Sequence, residues 1–289
     1  MKVCVVGATG VLGRSLVPLL VREGFSVRAL ARFTKEKRAL MPGEADCVTF
    51  DLLSDNAPKT LPALVHGFDA VLHIATAIPR DFSAPGAWDL NNRLRTIGTQ
   101  RLLKASLDNG VGYYLQQSIT MRYPDLGDAW IDENTPLITV SEQTGQTDPV
   151  TIMEELVKSV DTRKLDWCIL RGGMFVGPAT FQDDAIPRLK EGTEVVAGDG
   201  MNFVSFVHVK DVASAFVKVL QAKPHAGVFN IVDEPVRNGD YRDRLADLLK
   251  VTRPLRDMNQ RRPASNRCSN KKAQSELQWK PQHGIFPTA

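Results

Sequence analysis

The first thirteen residues, MKVCVVGATGVLG, constrain this chain more than any other stretch. A short apolar run, Val3 to Val6, leads into Gly7-Ala-Thr-Gly10-Val-Leu-Gly13 and then into the helical pattern SLVPLLVREG. A strand, a glycine-rich turn and a helix N-terminus in that order aim free backbone N–H groups, and the positive end of the helix dipole, at one point. Glycines there let the backbone come close to a ligand and let the helix pack tightly on the strand. The ligand that such a turn holds is the pyrophosphate of a dinucleotide. The predicted cofactor contacts are Gly7, Thr9, Gly10, Val11, Leu12 and Gly13.

Strand-like and helix-like runs alternate after this turn. FSVRALAR, CVTFD and DAVLHIA read as strands, an amphipathic segment runs from about Trp88 to Asn109, and GYYLQQS follows as a further strand. A helix from roughly Pro149 to Lys164 precedes the strand DWCILRGG. This order predicts an α/β fold, a Rossmann-type doubly wound parallel sheet covered on both faces. After residue 171 Gly and Pro become frequent and the alternation fails, which predicts a smaller C-terminal substrate lobe. The expected division is a dinucleotide-binding domain over 1–171, rejoined by 203–221, and a lobe built from 172–202 and 222–289.

Composition bounds the function classes. With 289 residues, 43% of them hydrophobic and 24% charged, the chain is ordinary globular material with enough length for a sizeable core. A net charge of +3 does not call for a nucleic-acid partner, and the late basic residues (Arg253, Arg256, Arg261, Arg262, Arg267, Lys271, Lys272) read as a solvated face. Cys4, Cys47, Cys168 and Cys268 are widely spaced with no Cys/His cluster, so neither a disulfide framework nor a metal site is expected. No apolar stretch reaches membrane-span length and no signal peptide precedes the first strand, so a soluble cytoplasmic protein without a membrane partner is expected.

Several further segments resemble the extended short-chain dehydrogenase/reductases of the NAD-dependent epimerase/dehydratase type, over nearly the full length. DAVLHIATA resembles that family's fourth strand, NNRLRTIGTQRLLKAS its Asn-x-x-Gly-Thr-x-x-Leu-Leu helix, and FVHVKDVASAF its Val-His-Val-x-Asp-Val-Ala signature. LRGGMFVGP resembles Arg-Pro-x-x-x-x-Gly-Pro with Gly172 where proline is usual, and SELQWKP resembles the family's ending. The resemblance implies cofactor contacts at Asp51 and Leu52 after the third strand, at Ala75, Thr76 and Ala77 after the fourth, and at Gln117 and Gly173. For Asp51 a helix N-cap is an equal reading. The resemblance also implies a homodimer formed through two helices that flank the sheet.

The second strand ends at Arg32, where NAD-preferring members carry an Asp for the ribose 2′-OH. An arginine fork there suits a 2′-phosphate, so NADPH is the expected cofactor, with Thr34 and Lys35 near enough in sequence to assist. The family's proton chemistry normally rests on a Tyr-x-x-x-Lys pair. None of the four tyrosines (Tyr113, Tyr114, Tyr123, Tyr241) has Lys four residues on. Aligning the helix QTDPVTIMEELVKSV on its acidic residue places Thr147 and Thr151, or Gln146 and Val150, where that pair belongs. Glu154 and Lys158, four apart, read as an exposed helical ion pair.

Ser118 matches the family's carbonyl-binding Ser or Thr, with Thr120 as the fallback if the register slips. Tyr123 resembles a pocket-lining Tyr and is a candidate proton donor, with core packing as its equal alternative. The positions that serve a sugar diphosphate in other members hold Met174 and Val204, which removes charge-assisted contacts. With Trp88, Met121, Phe175 and Phe181 these predict an apolar, aromatic-lined substrate site, although each could equally be lobe core. His73 is expected to orient backbone beside the cofactor, His208 to serve packing and helix entry, and His66, His225 and His283 to lie in loops.

The reading that follows is an atypical NADPH-dependent ketoreductase acting on an apolar aromatic or polycyclic small molecule, of the kind that tailors natural products. A non-catalytic NADP(H)-binding sensor, or a non-redox isomerase or cyclase on the same scaffold, are the alternatives.

Overall fold

The computed structural model describes residues 1–79, 81, 84–140, 145 and 147–287. Gln146, one of the positions aligned with the missing tyrosine, lies outside them. The strands are β1 (Lys2–Val6), β2 (Ser26–Ala31), β3 (Asp46–Thr49), β4 (Ala70–His73), β5 (Tyr113–Ile119), β6 (Asp166–Gly172), β7 (Met174–Val176), β8 (Val195–Ala197), β9 (Phe203–Val204), β10 (Phe206–His208), β11 (Gly227–Ile231), β12 (Val236–Arg237) and β13 (Leu255–Asp257). The helices are α1 (Val11–Arg22), α2 (Lys35–Arg38), α3 (Ala57–Val65), α4 (Asp89–Arg93), α5 (Thr99–Asp108), α6 (Pro149–Lys158), α7 (Phe181–Lys190), α8 (Val209–Ala222), α9 (Asn238–Leu249) and α10 (Lys271–Glu276).

Seven strands form one sheet in the order β11-β6-β5-β4-β1-β2-β3. The pairs β1–β2, β2–β3, β1–β4 and β4–β5 are parallel, as expected for a doubly wound sheet. The chain winds outward in one direction from β1 through β2 and β3, then in the other from β4. The switch point therefore falls between β1 and β4, where open α/β sheets hold their ligands at the carboxyl ends of the strands. β4 is buried at every position, so its apolar run AVLH does not alternate.

The chain divides into two compact units. The first comprises Met1–Ser118, Ile138–Leu170 and Ala213–Val228, and the second Ile119–Leu137, Arg171–Val212 and Phe229–Ala289. The second unit thus takes in 119–137, and 213–228 belong to the first.

In the first unit, Cys4, Val6, Leu30, Leu61, Val71, Leu102, Tyr114, Val157 and Ile169 belong to one buried cluster. α4 and α5 form one nearly continuous helical segment interrupted by a π-helical turn, Leu94–Gly98. Gly98 is buried, and a Cβ on it would stand 2.8 Å from Leu52 Cδ2 and 3.6 Å from His73 Nε2. α6 stops at Lys158, short of the expected end at 164, because local polar groups take over its last turn. Ser159 Oγ donates to the Leu156 carbonyl, and the Asp161 carboxylate accepts from the Arg163 N–H, an alternative to further helix.

The second unit has its own aromatic core. Phe206 stacks on Tyr241 at 4.0 Å and on Phe181 at 5.9 Å, and Tyr241 stacks on Phe286 at 5.0 Å. Gln182 Nε2 donates to the Tyr241 hydroxyl (2.7 Å) and to the Ile285 carbonyl (3.0 Å), fastening the C-terminal segment to α7. Several late arginines are paired: Arg253 with Asp247, Arg256 with Asp243 and Arg262 with Asp125. All four cysteines are buried free thiols, and no helix among the described residues is long and apolar enough to cross a membrane.

Candidate active site

The glycine turn is built as its sequence requires. Gly7 has φ +103°, and a Cβ there would stand 2.6 Å from the backbone N and Cα of Ala75, just beyond β4. A Cβ on Gly13 would lie 2.2 Å from the Ala8 carbonyl oxygen, so only glycine lets α1 pack this closely. Gly10, the N-cap of α1, is exposed and offers no side-chain cap. The first intrahelical bond runs from the Arg14 N–H to the Gly10 carbonyl. The Val11, Leu12 and Gly13 N–H groups thus sit in a first turn whose donors have no intrahelical acceptor. No acidic side chain competes for that turn. This cradle at the switch point fits a dinucleotide phosphate.

Other expected cofactor residues lie around the same strand ends. Arg32 directly follows β2, is exposed, and makes no hydrogen bond or ion pair among the described residues. The Thr34 hydroxyl caps α2 by accepting from the Lys37 N–H. Asp51 is exposed and accepts from the Leu53 N–H at 2.9 Å, so it closes a turn well before α3 and is not that helix's N-cap. Leu52 is buried against Gly98. Thr76 is exposed, while Ala75 and Ala77 are half-buried. Asn91, buried on α4, holds this loop by accepting from the Ala77 N–H (3.1 Å), a role that its place in NNRLRTIGT did not disclose. Gly173 is required by packing in the second unit, where a Cβ would stand 2.2 Å from the Ser205 carbonyl oxygen.

β5 carries a row of polar side chains on one face. Tyr114, Gln116 and Ser118 alternate along the strand and so share a face, with Gln117 opposite. The Tyr114 hydroxyl donates to Gln116 Oε1 (3.0 Å), which also accepts from Thr99 Oγ1 (3.3 Å) and faces His73 Nδ1 (3.0 Å). His73 is buried, and burial lowers its pKa to about 4. The nearby Arg95 charge pushes the same way and the Gln116 bond opposes it, so the ring is neutral. Its Nε2, like Gln117 Oε1, is buried with no hydrogen-bond partner among the described residues. Burial also pushes the Tyr114 phenol well above its usual range.

Ser118 lies two residues beyond the last β4–β5 pair, His73 with Gln116, at the carboxyl edge of the sheet. Its hydroxyl donates to Glu154 Oε1 at 2.6 Å, and Glu154 Oε2 lies 2.8 Å from Lys158 Nζ. This corrects the expectation of an exposed ion pair: the Glu154 side chain is 1% exposed and that of Lys158 41%. It also changes the surroundings of Ser118, whose hydroxyl is hydrogen-bonded to a buried carboxyl group. The signal was present in the helical phase, since Glu154 lies between Val150, Met153 and Val157 on the buried stripe of α6. Where the usual pair would stand, Thr151 Oγ1 donates to the Ile138 carbonyl (2.8 Å), Val150 is buried, and Thr147 is exposed beside a bridge to Val140.

In the second unit, Tyr123 is fully buried with its hydroxyl used twice. It donates to Asn230 Oδ1 (2.8 Å) and accepts from Arg171 NH1 (2.6 Å). Burial raises its pKa above the usual phenol range, against the opposing pull of Arg171. Both bonds are to core residues of the second unit, which agrees with the packing alternative for Tyr123. Thr120 is buried beside the Cys268 thiol, which burial pushes up to about 12. Met174, Phe181 and Val204 are partly buried against the second unit's core, Phe175 is half-buried, and Met121 is 37% exposed. Trp88, in the first unit, is 37% exposed at the start of α4.

The histidine expectations divide. His208 Nδ1 accepts from the Lys210 N–H at the entry to α8, as expected of a helix-entry residue. His283 is more than a loop residue, because its N–H and Nδ1 both bond Asp211, at 2.9 and 2.7 Å. Among the described residues no group of His, Cys, Asp and Glu could hold a metal ion.

The family model described as the NAD dependent epimerase/dehydratase family matches residues 3–232. A 3-diazoavenalumate denitrifying reductase of Streptomyces sp is 29% identical over 98% of this chain and 97% of its own length. A ceramide reductase of Caulobacter vibrioides is 26% identical over 83% of this chain and 66% of its own. Among solved structures, the dTDP-glucose 4,6-dehydratase DesIV of Streptomyces venezuelae, with NAD bound, superposes with TM-score 0.83 at 22% identity, covering 99% of this chain and 93% of that one. These likenesses agree with the sheet order, the glycine cradle and the match over most of the chain: the protein belongs to the NAD dependent epimerase/dehydratase family.

Proposed function

We propose that this protein is an NADPH-dependent reductase that delivers hydride to an apolar, aromatic small molecule, with a ketone as the first substrate class. The observation that carries the reading is the glycine cradle at the switch point, with an unopposed Arg32 at the end of β2 where a 2′-phosphate would be met. A bound reduced nicotinamide supplies the hydride. The turn from Gly7 to Gly13 would hold the pyrophosphate, Arg32 the 2′-phosphate, and Ser118 the substrate oxygen. Met174 and Val204, at positions that serve a sugar diphosphate elsewhere in the family, favour an apolar substrate over a nucleotide sugar.

A second reading has its own support in the full-length relative named for reducing a diazo compound with loss of nitrogen. Hydride added to the terminal nitrogen of a diazonium on an aromatic ring gives a diazene. Loss of N2 then leaves that hydrogen on the ring carbon. No alkoxide forms, so no tyrosine acid is needed, which agrees with a chain lacking the Tyr-x-x-x-Lys pair.

The test is oxidation of NADPH by the purified protein against aromatic ketones and an arenediazonium salt, with NADPH binding measured first. NADPH loss matched by alcohol supports the ketone reading, and loss matched by N2 and the dediazotised arene supports the second. Tight NADPH binding without oxidation of either class overturns the reductase reading in favour of a sensor.

A further inference from the structure

We propose that Ser118, Glu154 and Lys158 form a proton path that stands in for the absent Tyr-x-x-x-Lys pair, with Ser118 as the group that protonates the reduced substrate. The proposal rests on the ketone reading above.

Three observations support it. The groups form an unbroken chain, 2.6 Å from Ser118 Oγ to Glu154 Oε1 and 2.8 Å from Glu154 Oε2 to Lys158 Nζ. Exposure rises along that chain, from none at Ser118 through 1% at the Glu154 side chain to 41% at that of Lys158, so its far end reaches water. Third, a carboxyl group on the buried stripe of α6 is costly, and an apolar residue would serve packing alone at least as well. Lys158 on α6 itself pairs with Glu154, and Arg95 on the π-helical turn packed against α6 reaches the preceding residue, with NH1 3.8 Å from Met153 Sδ.

The proton balance closes. Hydride adds to the carbonyl carbon and the π pair moves to oxygen. That oxygen takes the Ser118 hydroxyl proton, and Ser118 Oγ takes the carboxyl proton of Glu154. Glu154 takes a proton from the Lys158 ammonium, and Lys158 recovers one from water. Nothing is oxidised or reduced except the cofactor and the ketone. The path therefore delivers its proton when Glu154 is protonated, and carries it inward from solvent afterwards. Ser118 is the catalytic residue here, while Glu154 and Lys158 act through it.

Two measurements test the path. Infrared difference spectra of the apo protein, taken across neutral pH, compare wild type with Glu154→Gln and Lys158→Met. A protonated-carboxyl band absent from Glu154→Gln is expected, with its midpoint raised by about one pH unit or more in Lys158→Met. Absence of that band, or a midpoint indifferent to Lys158→Met, overturns the proposal. Kinetics use NADPH with 9,10-phenanthrenequinone as the probe. Glu154→Gln should lower kcat by about 100-fold, keep KM and NADPH affinity, and remove the ionisation from the pH profile, with Glu154→Asp recovering part of the rate. Unchanged kcat and pH profile in Glu154→Gln overturn the path while leaving the reductase reading intact. If wild type oxidises no NADPH, the reductase reading fails on this probe and the infrared result still decides the path.

Discussion

Two buried polar clusters, one in each unit, are made of similar groups and are wired differently. In the second unit, Tyr123 gives its proton to Asn230 and receives one from Arg171, and the Asn230 backbone N–H donates to Glu133 at 2.7 Å. The tyrosine's capacity is filled from inside the core. On the β5 face of the first unit the cluster has open ends: His73 Nε2 is unsatisfied among the described residues, and the Ser118–Glu154 pair leads to a half-exposed lysine. A filled network fixes one packing arrangement, whereas one with spare capacity and a route to water has the elements that proton movement needs. For this reason the buried serine, rather than the buried tyrosine, is the better candidate for chemistry.

That contrast can be broken most sharply by paired substitutions. Ser118→Ala should lower turnover about 10²- to 10⁴-fold, the usual contribution of a positioned acid, while leaving cofactor affinity nearly unchanged. Tyr123→Phe should leave turnover and its pH profile in place. Equal losses in the two variants, measured by steady-state kinetics, would erase the distinction between open and closed clusters.

Acid unfolding tests the open cluster next. His73 is held near a pKa of about 4 against an ordinary value of 6.5, so between these values the unfolded chain binds more protons. Stability should therefore be intact above about pH 6.5 and fall as pH drops toward 4, by an amount on the order of 3 kcal/mol. Replacing His73 with Gln should flatten that part of the curve in denaturant titrations at fixed pH. An unchanged slope would mean that the ring is not held neutral.

Cofactor choice gives a somewhat smaller effect. Arg32→Asp should weaken NADPH by about 10- to 100-fold and NADH by little, read by binding titrations. Equal weakening of both would remove the 2′-phosphate from its assigned partner. The smallest expected effect is on the closed cluster: Tyr123→Phe should cost roughly 1–3 kcal/mol of stability, because Arg171 and Asn230 each lose a buried partner. A neutral result in thermal or chemical unfolding would mean that the filled network is not needed for packing.

How far the sequence was legible follows from how local each signal is. The glycine turn, the alternation of strands and helices, and Arg32 after β2 are all set within a few residues of chain, and each lies where it was expected. The helix after the turn needed no tertiary help either, because the apolar stripe of Leu12, Leu16, Val17 and Leu20 marks its buried face. For Glu154 two local signals compete: an acid four residues before a lysine is usually a solvated pair, whereas its phase places it on the buried stripe of α6. For Tyr123 the sequence does not separate pocket from core, because nothing in its neighbourhood reveals Asn230, which is 107 residues away.

The sequence alone therefore determined the family, the sheet class and the glycine turn, since those depend on backbone geometry that glycine and short-range periodicity encode. Tertiary structure decided which titratable groups are buried, which hydroxyls are already occupied, and that Ser118 meets Glu154 across 36 residues of chain. Those outcomes depend on contacts between elements distant in sequence, where burial and hydrogen bonding set the chemistry and no local pattern records them.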